Sequence, residues 1–125
     1  MSEKSTKYRL EERTVLFSES VIDLCKNIRR NIVSDPIVRQ LIRSATSIGA
    51  NYAEANNASS RRDFRNKIFI AKKECQETLY WLRLMRKACG EIHDELLVLQ
   101  KECRELLLIF QKITATLEKN KTNEN

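Results

Sequence analysis

The sequence predicts an all-α protein, an antiparallel up-down-up-down four-helix bundle, and three observations predict it. An unbroken heptad seam runs through Phe64, Ile68, Ala71, Cys75, Thr78, Leu82, Met85 and Cys89, spaced alternately four and three residues apart. That is the repeat of a helix burying one stripe along its whole length. A second seam, Ile92, Leu96, Leu99, Cys103, Leu106, Phe110, Ile113 and Leu117, has the same spacing, so two long helices are set to lie side by side. Finally, two glycines and one proline in 125 residues leave almost no punctuation for the tight turns of a sheet. An apolar content of 42% suffices for one core at this length, and no second domain is expected.

Residues 1–9 are polar and are expected to be disordered, with the bundle occupying 10–118 and a second disordered segment at 119–125. Leu10, Phe17, Val21, Leu24 and Ile28 outline the first helix, from about Leu10 to Asn31. Ser34 or Asp35 caps the second, which has Pro36 in its first turn, where the missing N–H costs nothing. This helix runs to about Asn56 and buries Leu41, Ala45, Ile48, Tyr52 and Ala55. It is rich in small residues, and Gly49, which costs about 1 kcal/mol relative to alanine, implies a close neighbour. Ser59 or Ser60 caps the third helix, from about Arg61 to Cys89, with Asp63 in its first turn. Gly90 is the expected terminator, and the fourth helix follows from about Glu91 to Glu118.

Composition narrows the function classes. No leader pattern opens the chain, and its longest apolar run, Leu106 to Phe110, is far short of the roughly 20 residues that span a bilayer; a cytoplasmic protein without a membrane partner is expected. Cys25, Cys75, Cys89 and Cys103 form no C-x-x-C pair, and three of them fall on the seams, so they read as reduced, buried small hydrophobes. The single histidine, His93, has no nucleophile beside it and reads as a surface residue. Glu74 and Glu77 share a face but lack the histidines of a metal site. With no glycine-rich phosphate loop, zinc spacing or Ser-His-Asp set, no enzyme activity and no cofactor or metal is expected.

Charge is uneven. The net +6 is concentrated in residues 36–87, which carry eleven basic and four acidic side chains, whereas residues 91–118 carry three and six. On a helical wheel Arg61, Lys72, Arg83 and Lys87 fall within about 40° of Arg65, and Arg62 within about 60°, away from the core direction. Arg39 and Arg43, one turn apart on the second helix, widen this surface. Such a face is the electrostatic footprint of RNA or DNA, or it is a solvated surface paired with the acidic fourth helix. Phe69 and Tyr80 project towards the basic side, where they suit base stacking or a subunit interface equally.

Leu79, Tyr80, Trp81 and Leu82 point in four directions, and the run Leu106 to Phe110 repeats the pattern. A helix apolar on too many sides needs a second buried surface, which predicts a homo-oligomer with Phe69, Tyr80, Trp81, Leu107 and Leu108 at its interface.

The stretch Ser47-Ile48-Gly49-Ala50-Asn51-Tyr52-Ala53-Glu54-Ala55, followed by Ser60-Arg61-Arg62-Asp63-Phe64, by Ile68-Phe69-Ile70-Ala71 and by Glu74 and Glu77, resembles the four-helix bundle proteins associated with 23S ribosomal RNA intervening sequences. The likeness spans roughly Val38 to Leu117; Ala55 stands where many members carry glycine. The resemblance implies a ring-shaped homopentamer, no catalytic residues, and a place beside nucleic acid. Some relatives are encoded within ribosomal RNA insertions, and others are accessory proteins of diversity-generating retroelements that assist a reverse transcriptase. Asn51 and Glu54 match the family and read as structural polar groups between helices. The expected function is therefore a non-enzymatic nucleic-acid-binding accessory factor, against the alternative of a scaffold whose charges merely solubilise it.

Overall fold

The computed structural model describes residues 3–124, with side chains from residue 6 to residue 120, and among these there are four α-helices and no strand. They are α1 (Glu3–Lys26), α2 (Ser34–Asn56), α3 (Arg61–Ala88) and α4 (His93–Glu124), with a single 3-10 turn over Gly90–Ile92 before α4. α1 and α4 reach well into the segments expected to be disordered. Those segments are polar but rich in Glu, Lys and Arg, residues that lose little on entering a helix. Met1, Ser2 and Asn125 lie outside the described residues.

The ends of the helices follow side-chain chemistry that periodicity does not register. α1 stops at Lys26, a turn earlier than its apolar spacing suggests, and the chain closes with Asn27 N to Leu24 O and Ile28 N to Cys25 O bonds. α2 is started by Asn31, whose Oδ1 accepts from the backbone N–H groups of Val33 and Ser34, both at 2.9 Å. The expected cap, Ser34, instead uses its Oγ to accept from Asn31 N at 3.1 Å. Asp35 Oδ1 accepts from Arg30 Nε at 3.0 Å. The α3 expectation holds, since Ser60 Oγ accepts from Asp63 N at 3.0 Å. Gly90 does not end α3 by a left-handed turn: no described residue has positive φ, and Cys89 makes the exit with φ −138°.

α3 is the centre of the fold, packing most extensively on α2 and next on α4, while α1 lies mainly on α2 and touches α4 least. The α3 seam from Ile68 to Cys89 is buried at every predicted position, as are Leu96, Leu99, Cys103, Leu106 and Phe110 of the α4 seam. Phe64, Ile92, Ile113 and Leu117, at the seam ends, are half-buried. All five predicted stripe residues of α2 and all five of the first helix are in the same core. Tyr52 meets Phe110 edge-on at 5.7 Å between ring centroids.

Two close approaches set the helix spacing. Thr78 Oγ1 donates to Ser44 Oγ at 2.9 Å, joining α3 to α2 at fully buried positions. At the α1–α2 crossing, a Cβ placed on Gly49 lies 3.0 Å from Thr14 Oγ1 and 3.1 Å from Thr14 Cβ, which is why glycine occupies that turn of α2. All four cysteines are free and buried, and Cys103 Sγ donates to the Cys75 carbonyl at 3.4 Å.

Candidate nucleic-acid interface

α3 carries nine basic and three acidic side chains over 28 residues. Because seven of every eighteen helical positions or so are taken by the core stripe, these cations must project outward. Arg61, Arg62, Arg83 and Lys87 are exposed, and Arg65 and Lys72 half-buried. From Arg61 to Lys87 the stripe is about 39 Å long at 1.5 Å rise per residue.

Two of the three acidic side chains of α3, Glu74 and Glu77, are held by a cation of α2. Arg43 of α2 reaches Glu74 Oε2 at 2.9 Å through Nη1 and binds Glu77 Oε1 through Nη2. Glu77 Oε1 also accepts from Trp81 Nε1 at 3.3 Å. The Arg43 hydrogen bond holds the Glu77 carboxyl below the usual carboxylate range. Lys67 is paired with Glu54 at 2.7 Å. On α4, Glu102 and Glu105 are both bound by Arg13 of α1 at 2.7 Å, and the Arg13 hydrogen bond lowers the Glu102 pKa. Among the described residues Arg39, Arg62, Arg65, Arg83 and Lys87 make no ion pair with a carboxylate.

These pairings redraw the predicted surface. Arg43 does not widen it, because two carboxylates of α3 neutralise its charge; Arg39, one turn earlier, stays open. Nor do Glu102 and Glu105 of the acidic fourth helix pair with α3, since Arg13 holds both. Lys72 Nζ sits 4.9 Å from the Phe69 ring centroid, so these two form one cationic and aromatic unit on the face. Tyr80 is 55% exposed and stacks edge-on against Trp81 at 5.0 Å.

The predicted interface residues separate likewise. Trp81 and Leu107 are half-buried against the fold's own core, which leaves Tyr80 and Leu108, the latter 64% exposed, as the open apolar groups of those runs. Sequence reasoning missed a larger set. Val15, Leu16 and Ile22 on α1 and Leu97 and Val98 on α4 are exposed. Leu16, Phe17, Val98 and Leu99 line a groove of about 360 Å³ between the two helices. The signal was present in Val15-Leu16-Phe17 and Leu96-Leu97-Val98-Leu99, where one stripe cannot cover consecutive apolar residues. Of the family-matching polar residues, Glu54 does join α2 to α3 through Lys67, whereas Asn51 Nδ2 stays within α2 on Ser47 O at 2.8 Å. His93 is exposed at the start of α4, and among the described residues no three His, Cys, Asp or Glu side chains form a metal-sized cluster. No described helix is long and apolar enough to cross a membrane.

A four-helix all-α fold with a long cationic ridge on its central helix is thus the class of protein in hand. The chain belongs to the 23S rRNA-intervening sequence protein family, whose model matches residues 6–120. It is similar to a crystal structure from Bacteroides thetaiotaomicron described as a protein of unknown function from the S23 ribosomal protein family. That similarity has 32% sequence identity and a TM-score of 0.75, and covers 84% of this chain and 97% of the other. No curated protein matches.

Proposed function

We propose that this chain is a non-enzymatic, oligomeric four-helix bundle that binds RNA or DNA through the outer face of α3. In this reading it acts as an accessory factor to a nucleic-acid enzyme, with a reverse transcriptase the candidate partner on the family resemblance. The observation that carries the reading is the separation of charges: Arg43, Lys67 and Arg13 hold nearby carboxylates, whereas Arg62, Arg65, Arg83, Lys87 and Arg39 pair with none among the described residues. A merely solubilising surface has no need to segregate its charges so. Backbone phosphates are the natural ligand of such a ridge, so sequence preference is weak. The association of the family's name with ribosomal RNA insertions favours RNA.

The up-down-up-down course is supported by the order of the cross-helix pairs: Glu54 of α2 meets Lys67, and Arg43, eleven residues earlier, meets residues further along α3. Assembly into a homo-oligomeric ring, a pentamer on the family resemblance, is supported by the uncovered apolar side chains of α1 and α4.

Titrating labelled single-stranded RNA at rising salt tests the interface. Five or six phosphate contacts give a slope of log affinity on log salt of about −4. Replacing Arg62, Arg83 and Lys87 by glutamate is expected to abolish binding, and affinity indifferent to both salt and these charges overturns the reading in favour of a protein scaffold.

A further inference from the structure

Where α1 begins and the chain turns from α2 into α3, two clefts open side by side. One, of about 740 Å³, is lined by Lys7, Ser60, Arg61 and Arg65. The other, of about 520 Å³, is lined by Leu10, Tyr52, Ile109 and Ile113. Lys7, Asn56 and Phe64 line both, so the two share a wall. Each lies in the range of roughly 300–1,000 Å³ usual for small-ligand sites.

The first cleft is cationic. Among the described residues its lining includes Lys7 of α1 and Arg61 and Arg65 of α3, and no carboxylate. Arg65 Nε is buried and has no hydrogen-bond partner among the described residues. A guanidinium N–H desolvated without an acceptor is costly, and no carboxylate among the described lining residues balances the Arg65 charge, so an anion from outside the chain suits this cation. Asn56 shows the complementary lack: Nδ2 donates to Glu11 Oε1 at 2.7 Å, while Oδ1 is buried without a donor among the described residues. Beyond that wall the second cleft is mostly apolar, and the half-buried Phe64 ring stands between the two.

We propose that this double cleft binds one nucleotide unit, its phosphate on Arg65 and Lys7 and its base in the apolar cleft beside Phe64. Asn56 Oδ1 then accepts from a ribose hydroxyl or a base amino group. The inference rests on the nucleic-acid reading above for the source of the nucleotide. It adds a site that recognises more than charge, at one end of the ridge. A bare phosphate satisfies the first cleft alone, and the shared Phe64 wall selects a ligand that carries an apolar ring next to its phosphate.

The test is ¹H–¹⁵N NMR on the whole chain with adenosine and uridine 5′-monophosphates, the matching nucleosides, and inorganic phosphate. The monophosphates are expected to shift the amides of residues 60–65 and the Asn56 side chain, binding at least about tenfold tighter than either half alone, since each half forfeits a set of contacts. Arg65→Gln is expected to weaken them by tenfold or more, and the milder, outlying Lys7→Gln by a few-fold. Lys7→Gln keeps the test open should Arg65→Gln unfold the chain. Phe64→Leu weakens the monophosphates and leaves inorganic phosphate unchanged. Equal affinity for phosphate and nucleotide, absence of shifts, or indifference to both the Arg65 and Lys7 changes overturns the proposal. Long RNA measured on the same variants separates the two readings. RNA that binds through Arg62, Arg83 and Lys87 while nucleotides leave the cleft unshifted removes this inference alone; nucleotides in the cleft without RNA binding on the ridge remove the interface.

Discussion

Arg43 holds two carboxylates of the neighbouring helix, and Glu74 depends on it the more, since its side chain is only 8% exposed. Arg43→Gln is expected to cost about 1.5–3 kcal/mol, the range for hydrogen bonds to charged groups, and Arg43→Gln with Glu74→Gln to recover part of it; urea unfolding checks both. The same contacts give a pH dependence. Glu77 and Glu102 have folded pKa values below their unfolded ones because Arg43 and Arg13 donate to them. Their contribution is therefore present above the ordinary glutamate value of about 4.3 and is lost as pH falls below it. A thermal midpoint that declines below about pH 4.5, less steeply in Arg13→Gln and Arg43→Gln, is the expected profile. These pairs are partly exposed, so high salt should flatten it as well. Arg43 also shows where residue-level reading ends. Its one-turn spacing from Arg39 put both on a basic surface, but the acids that neutralise it lie about thirty residues away in the chain.

Heptad spacing located the seams of α3 and α4 at almost every position, because a repeat sustained over seven or eight steps has few other physical explanations. The helix ends were less legible. Ser60 capped α3 as its Ser-x-x-Asp spacing implied, whereas α2 was started by Asn31, read as the end of the first helix. Ser60→Ala is expected to lower stability by about 1 kcal/mol through the orphaned Asp63 N–H. The crossing of α1 on α2 makes a stronger demand. Gly49→Ala should forgo the roughly 1 kcal/mol that alanine brings to a helix, because the new methyl group meets Thr14. Gly49→Leu should destabilise by about 2–3 kcal/mol as α1 is pushed away. Thermal melts followed by circular dichroism read both. All four cysteines are free, and buried as small hydrophobes are. Burial pushes the Cys25 thiol up to about 11, so its thiolate fraction at pH 8 is about two orders of magnitude below that of a free thiol. Ellman's reagent should find the native thiols silent and all four reactive in denaturant.

On the scale of the whole molecule, the surplus apolar surface includes part of what the sequence pattern placed there and a larger part that it did not. Tyr80 and Leu108 remain open on α3 and α4, yet Trp81 and Leu107 are drawn onto the fold's own core, and the larger exposed set is on α1 and the start of α4. If copies associate through that side, Leu16→Glu with Val98→Glu should reduce the sedimenting mass to that of one chain while leaving helical content intact. Exposed leucine and valine positions carry little folding energy in a single subunit, so this pair separates assembly from folding. Sedimentation of the unaltered chain as a single subunit at micromolar concentration would remove the assembly reading.

What the amino-acid sequence determined by itself is the all-α class, the two seams, the buried stripes of α1 and α2 and the cationic side of α3. All of these are set by local periodicity, and a 3.6-residue repeat can be read without knowing a neighbour. Tertiary structure alone decided which cations stay open and which are neutralised, why Gly49 is needed, which apolar residues remain uncovered, and that Lys7, Asn56, Phe64 and Arg65 meet around one pair of clefts. The reason is physical: each of these depends on side chains from different helices, and sequence distance carries no measure of their approach.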